Sequence, residues 1–175
     1  VTNPISINCN PVANFDWTEE CQGDYTIFTD QSTNGVTGIV INQRNWTHSG
    51  GSYVPPTNSS SINPLYLYDT CGASYLTTLV VTDNYGCTDS TSQYVEVWCN
   101  PIAIIDSVFD VCQGSWTYFN ANQSLPGNSS TGVVPITNYF WEMGGTGTYR
   151  NATSPTSSSP IFEYDTCGIY IVILT

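Results

Sequence analysis

Lysine is absent from this chain of 175 residues, and Arg44 and Arg150 are the only arginines. Against 14 Asp and Glu they leave a formal net charge of −12. A surface of that sign repels phosphate backbones and anionic lipid, which excludes nucleic acid as a partner. Charge of either sign is scarce at 9% of residues, where a typical soluble domain has about 25%. The single histidine, His48, falls in a turn-like stretch with no serine or cysteine motif beside it, so it reads as a solvated loop residue and not as a catalytic base. No C-x-x-C pair accompanies that lone imidazole, which removes the usual zinc patterns. Glu19-Glu20, Asp24, Asp69 and Asp83 do not build the D-x-D-x-D-G calcium loop. No catalytic, cofactor or metal residue is therefore expected, and the chain does not read as an enzyme. No apolar run approaches membrane-spanning length, and no stretch carries helical periodicity. The chain opens on Val1, so any export signal is expected outside it.

Abundant Ser, Thr, Asn, Gly and Tyr, together with seven cysteines, point to a secreted β-protein in an oxidising, extracellular or cell-surface setting. The cysteines recur in matched contexts. Cys9-Asn10-Pro11-Val12-Ala13 returns as Cys99-Asn100-Pro101-Ile102-Ala103, Cys21-Gln22-Gly23 as Cys112-Gln113-Gly114, and Tyr68-Asp69-Thr70-Cys71-Gly72 as Tyr164-Asp165-Thr166-Cys167-Gly168. An internal repeat of this kind dominates any other reading. Short alternating stretches such as Tyr25-Thr26-Ile27-Phe28-Thr29 and Tyr94-Val95-Glu96-Val97-Trp98 are bounded by Gly, Pro and Asn, which predicts two antiparallel β-sandwiches in tandem, 9–98 and 99–175. The junction Trp98-Cys99-Asn100-Pro101 contains no flexible linker.

The second half carries Trp141-Glu142-Met143-Gly144-Gly145-Thr146, then Pro160-Ile161-Phe162-Glu163-Tyr164, then Gly168-Ile169-Tyr170-Ile171-Val172-Ile173-Leu174. This resembles the PKD-domain pattern of W-D-F-G-D-G, P-x-H-x-Y and G-x-Y-x-V-x-L-x-V. The first half is similar, through Trp46-Thr47-His48-Ser49-Gly50-Gly51, Pro64-Leu65-Tyr66-Leu67-Tyr68 and Tyr75 to Asp83. The resemblance implies immunoglobulin-like sandwiches of extracellular stalks, adhesins and accessory modules of secreted enzymes, with no catalytic residues. It also implies that Trp46 and Trp141 are core residues, leaving Trp17, Trp98 and Trp116 on strands or at the junction. Matching the poles of such a sandwich implies three disulfides: Cys21 with Cys71, Cys112 with Cys167, and Cys9 with Cys87. Cys99 is then left unpaired.

Five triplets, beginning at Asn45, Asn58, Asn122, Asn128 and Asn151, fit the N-x-S/T glycan acceptor. Roughly four would arise by chance at this composition, so position matters more than number. Asn58, Asn128 and Asn151 sit in polar loops, and alternation about an inward Trp46 points Asn45 outward. Asp106-Ser107, Asp69-Thr70 and Asp165-Thr166 also match an O-linked acceptor of some bacteria.

The two ends of the chain read as parts of one strand: Tyr170 to Thr175 matches the start of the Tyr75–Asp83 strand, and Val1-Thr2-Asn3 matches its Val81-Thr82-Asp83 end. The expectation is that 1–8, and in particular Val1, Thr2, Asn3, Pro4, Ile5, Ser6 and Ile7, forms an assembly strand with Ile5 and Ile7 as its apolar face. It would complete the second domain of a neighbouring copy, giving a head-to-tail homopolymer built from separate copies or from one continuous tandem-repeat chain. A structural repeat of a filament or stalk is one reading; a polysaccharide-binding or adhesive module, recognisable by exposed aromatics on one sheet face, is the other. Either surface is expected to carry covalent glycans. Sugar on at least one of the five asparagines predicts an intact mass above that of the bare polypeptide, and a mass equal to the polypeptide would refute it.

Overall fold

The computed structural model describes every residue except Val1, Thr2, Pro4, Ile5, Ser6, Asn8, Val36, Thr37 and Ser107. The chain divides into two compact units, one running through Cys99 and including Ser129–Thr131, the other comprising Asn100–Asn128 and Gly132–Thr175. Each is an all-β sandwich.

In the first unit, Phe15–Trp17 (β1), Thr26–Asp30 (β3), Leu65–Leu67 (β6) and Ser52–Tyr53 (β5) form one sheet in the order β1-β3-β6-β5. Glu20–Cys21 (β2), Thr88–Trp98 (β8), Ser74–Asp83 (β7) and Ile41–His48 (β4) form the other in the order β2-β8-β7-β4. The period-2 alternation of β7 puts Thr77, Leu79, Val81 and Asp83 on the buried side. The same rule on β4 buries Trp46 at 1% exposure and turns Asn45 and Thr47 to solvent. Between the sheets lies a network of rings. Trp46 meets Phe15 edge-on at 5.2 Å and Phe28 at 5.5 Å, and the network continues through His48, Tyr53, Tyr66, Tyr68 and Tyr75. Such pairs add about 0.5–1.5 kcal/mol each beyond the area they bury. The buried indole also keeps its polar atom satisfied, Trp46 Nε1 donating to the Ser61 carbonyl at 2.9 Å.

The second unit repeats these devices. Thr117–Tyr118 (β9), Ile161–Tyr164 (β14) and Gly147–Tyr149 (β13) form a sheet matching β3-β6-β5. Trp141–Glu142 (β12) pairs with Ile173–Leu174 (β15) as β4 pairs with β7, Trp141 facing Leu174 as Trp46 faces Leu79. Gly127–Ser129 (β10) and Gly132–Val134 (β11) pair with each other. Trp141 Nε1 donates to the Ser157 carbonyl at 2.9 Å, and Thr153, like Thr57, ties its loop to the flanking strand through its hydroxyl. Gly51 shows why its position takes glycine. Its φ is +85°, and a Cβ there would lie 2.2 Å from the Leu67 carbonyl oxygen.

The structure corrects the reading of His48 as a solvated turn residue. It ends strand β4, stacks on Tyr66 with ring centroids 4.0 Å apart and lies 4.8 Å from Phe28. Nδ1 is 3.0 Å from the Thr77 hydroxyl, while Nε2 is buried with no partner among the described residues. The repeat gives the physical reason, because His48 occupies the place of Met143, a core residue at 6% exposure. Removal from water penalises the imidazolium and lowers the His48 pKa to about 4. The folded value lies below the ordinary 6.5, so the unfolded chain binds the extra proton first. This contribution to stability is intact above pH 6.5 and is lost as pH falls from 6.5 towards 4. As the only imidazole of the chain, His48 should give one NMR titration with a midpoint near pH 4; a midpoint near 6.5 would contradict its burial.

Candidate assembly site

The pole of the first unit where β2, the start of β7 and the end of β8 meet defines the site by comparison. There β8 is held on both sides. Tyr75 faces Val95 and Ser74 faces Glu96 in the antiparallel ladder with β7, while Glu20 and Cys21 face Val97 and Trp98 in a parallel pairing with β2. The Gly72 amide donates to the Val97 carbonyl at 2.9 Å, and the Gln22 amide to that of Trp98 at 2.8 Å. Val95 and Val97 point inward and are 0% and 3% exposed. Burial of each contributes about 1.5–3 kcal/mol.

In the second unit the same surroundings line an open cavity of about 480 Å³. Its lining includes Cys112, Thr117, Phe119, Cys167, Tyr170 and Val172, the counterparts of Cys21, Thr26, Phe28, Cys71, Tyr75 and Thr77. The cavity lies where the first unit holds Val95 and Val97. Core residues around it are correspondingly less covered. Leu174 and Val172 are half-buried although their counterparts Leu79 and Thr77 are fully buried, and Ile169 and Ile171 are 100% and 77% exposed. Thr117 Oγ1 is buried with no partner among the described residues.

The expected assembly residues fall mostly outside the described part of the chain. Val1, Thr2, Pro4, Ile5 and Ser6 are in that class, and Asn3 and Ile7 are exposed and belong to no strand.

The cysteine pairing is corrected. The bridge present joins Cys71 to Cys99, while Cys9, Cys21, Cys87, Cys112 and Cys167 are free thiols, so none of the pairs Cys21 with Cys71, Cys112 with Cys167 or Cys9 with Cys87 occurs. Pole-matching counted β2 and the start of β7 at one pole but not the end of β8. The hydrogen bond from Gly72 to Val97 carries the chain past Cys71 at that pole, leaving the Cα atoms of Cys71 and Cys99 4.9 Å apart, within bridging range.

All five acceptor asparagines are exposed. They differ in their neighbours. Asn58 Oδ1 accepts the Ser60 amide at 2.9 Å, and the Thr153 hydroxyl that completes the Asn151 triplet is held by Arg150 and Ile161. The Thr70 and Thr166 hydroxyls are bonded to Tyr75 and Tyr170, and Ser107 lies outside the described residues. The acidic side chains serve the turns: Asp69 Oδ2 accepts the Gly51 amide, and Asp83 Oδ1 the amides of Tyr85 and Cys87. Burial alone would raise the Asp30 carboxyl, but hydrogen bonds from Ser32 and from Arg44, whose Nε is 2.6 Å away, hold it below its ordinary value. Trp116 and Tyr118 flank the buried Thr117 and share the opposite face, 45% and 62% exposed.

No family model matches the sequence, and no curated protein matches it. Among solved structures, the chain is similar to the PKD1 domain of Vibrio anguillarum Epp at 27% identity and a TM-score of 0.39, covering 52% of this chain and 99% of that one. The PKD1 domain from Vibrio cholerae metalloprotease PrtV shows 26% identity and a TM-score of 0.38, covering 50% of this chain and 96% of that one. An I-band fragment from titin shows 16% identity and a TM-score of 0.40, covering 90% of this chain and 56% of that one.

The Cys71–Cys99 bridge closes a loop with a sequence separation of 28, which on the chain-entropy model stabilises the first unit by about 3–4 kcal/mol. Denaturant unfolding of a Cys71→Ser, Cys99→Ser double variant should show a loss of that order, and an unchanged midpoint would contradict it.

Proposed function

We propose that the chain is a structural repeat of an extracellular filament or surface stalk, assembled head to tail by strand complementation. The observation that carries this reading is the cavity of the second unit at the place filled by Val95 and Val97 in the first. The Cys-Asn-Pro motif supplies the register. Setting Cys9 on Cys99 places Ile5 on Val95 and Ile7 on Val97, after a tight return at Pro4 from the Val1-Thr2-Asn3 continuation of the penultimate strand. The same two apolar positions thus stand before the same motif, with alternation matched to the pleat. Val1 to Ile7 of one copy completes the second unit of the next, Val1 to Asn3 continuing the 170–175 stretch and Ile5 to Ile7 entering the cavity beside it as the end of β8 lies beside the start of β7, covering Val172. Each contact leaves one open donor and one open acceptor, and such a heterologous interface propagates as a filament when the rotation does not close a ring.

Exposed, uncharged polar loops and a bridge between cysteines accord with an extracellular or cell-surface setting, where disulfides persist. Glycans on the exposed acceptor asparagines belong to the same proposal. The adhesive reading rests on Trp116 and Tyr118, whose shared exposed face beside β9 is a platform on which a sugar ring could stack.

Electron microscopy of the purified chain tests assembly directly. The unaltered protein should give fibres or head-to-tail oligomers, and an Ile5→Asp, Ile7→Asp double variant should stay monomeric while retaining the His48 titration of a folded first unit. Monomers of the unaltered chain at every concentration would refute the reading. Denaturing electrophoresis of natural material separates the two linkages, a single small band indicating donor strands and very large species a continuous chain.

A further inference from the structure

The bridge between Cys71 and Cys99 has an unused counterpart. Cys99 opens the second Cys-Asn-Pro motif, so the bridge ties the Tyr-Asp-Thr-Cys-Gly motif of one repeat to the first residue of the next repeat in sequence. The corresponding cysteine of the second repeat is Cys167, and the residue opening the first Cys-Asn-Pro motif is Cys9. Both are free and exposed. Cys167 also lines the open cavity. Its other candidate partner, Cys112, corresponds to Cys21, which stays a thiol in the first unit although it lies opposite Trp98, the residue next to Cys99. Where both kinds of partner are at hand, the fold joins the Tyr-Asp-Thr-Cys cysteine to the Cys-Asn-Pro cysteine.

We infer that Cys167 of one copy forms a disulfide with Cys9 of the next, a covalent clasp at every head-to-tail contact. This rests on the assembly reading above and deepens it. The register that sets Ile5 on Val95 and Ile7 on Val97 carries Cys9 onto Cys99, two residues past the last inward side chain. Strand insertion and sulfur pairing therefore follow from one alignment, without a shift of either. The oxidant is a low-molecular-weight disulfide such as oxidised glutathione. The Cys9 thiolate attacks one of its sulfurs and expels a thiolate; the Cys167 thiolate of the neighbouring copy then attacks Cys9 Sγ and expels the second. Two cysteine thiols become one cystine, and the small disulfide is reduced to two thiols.

Insertion is the reversible step and oxidation fixes it, so assembled material should resist denaturant until a reductant is added. Equal amounts of ¹⁵N-labelled and unlabelled full-length chain, mixed and assembled in a glutathione redox buffer, test this. After the remaining thiols are blocked and the protein is digested without reduction, mass spectrometry should find the Cys9 peptide joined to the Cys167 peptide, half of the pairs combining a labelled with an unlabelled partner. A non-reducing denaturing gel should show a ladder that collapses to one band with reductant. Cys9→Ser and Cys167→Ser should each abolish the ladder and leave assemblies visible by microscopy before denaturation. Assemblies in which Cys167 is bonded to Cys112, remains a free thiol, or pairs with Cys9 only within one label would overturn the clasp and leave the assembly reading standing. Absence of any assembly would overturn both.

Discussion

The pairing of β8 with β7 on one side and β2 on the other is the constraint on which the first unit depends. β8 supplies Val95 and Val97 to the core and satisfies the backbone of the central strand along most of its length. With β8 in place, Leu79 and Thr77 are sealed, and the rings of Tyr68 and Tyr75 are held against the rest of the network. The second unit has the same tryptophan anchor, the same tyrosine stack of Tyr164 on Tyr170 at 4.0 Å, and the same loop-tying threonine. It has an open cavity at the place of the two valines. One difference in strand pairing thus accounts for the contrast in burial between Leu79 and Leu174.

The aromatic network explains how a chain with so few charges holds a defined core. Its tyrosines bury their rings and keep their hydroxyls bonded: Tyr53 donates to the Trp46 carbonyl at 2.8 Å, and Tyr164 to that of Met143 at 2.9 Å. Burial pushes the Tyr53 and Tyr68 phenols up to about 12, so they stay neutral donors throughout the physiological range. His48 belongs to this network as a flat, neutral ring. The two arginines are used locally, Arg44 on Asp30 and Arg150 on Glu163 at 2.7 Å. Surface acidity is left without cationic counterparts, which favours solubility for a chain presenting exposed isoleucines.

The disulfide joins the two ends of the β7–β8 hairpin region. The bridge ties Cys99, just past the end of β8, to Cys71, just before the start of β7, at the pole where backbone pairing already holds β8 to β2.

The all-β class, the internal repeat and the two core tryptophans were legible in the sequence, because alternation, turn residues and matched cysteine contexts are local signals that one strand and its loop express without help from the rest. The sequence also carried the outward position of Asn45, which follows from an inward Trp46 on a strand of period two. The sulfur pairing and the setting of His48 depend instead on contacts between distant parts of the chain. Which cysteine Cys71 meets depends on where the far end of β8 arrives, and that is set by long-range pairing of Trp98 with Cys21 and of Val97 with Gly72, not by spacing along the chain. His48 had a local signal in its alignment with Met143, but a polar residue type beside two glycines argued for a turn, and only packing against Tyr66 and Phe28 shows that β4 extends through it. The cavity of the second unit is likewise a property of three dimensions, since it is defined by what the matching residues of the first unit enclose.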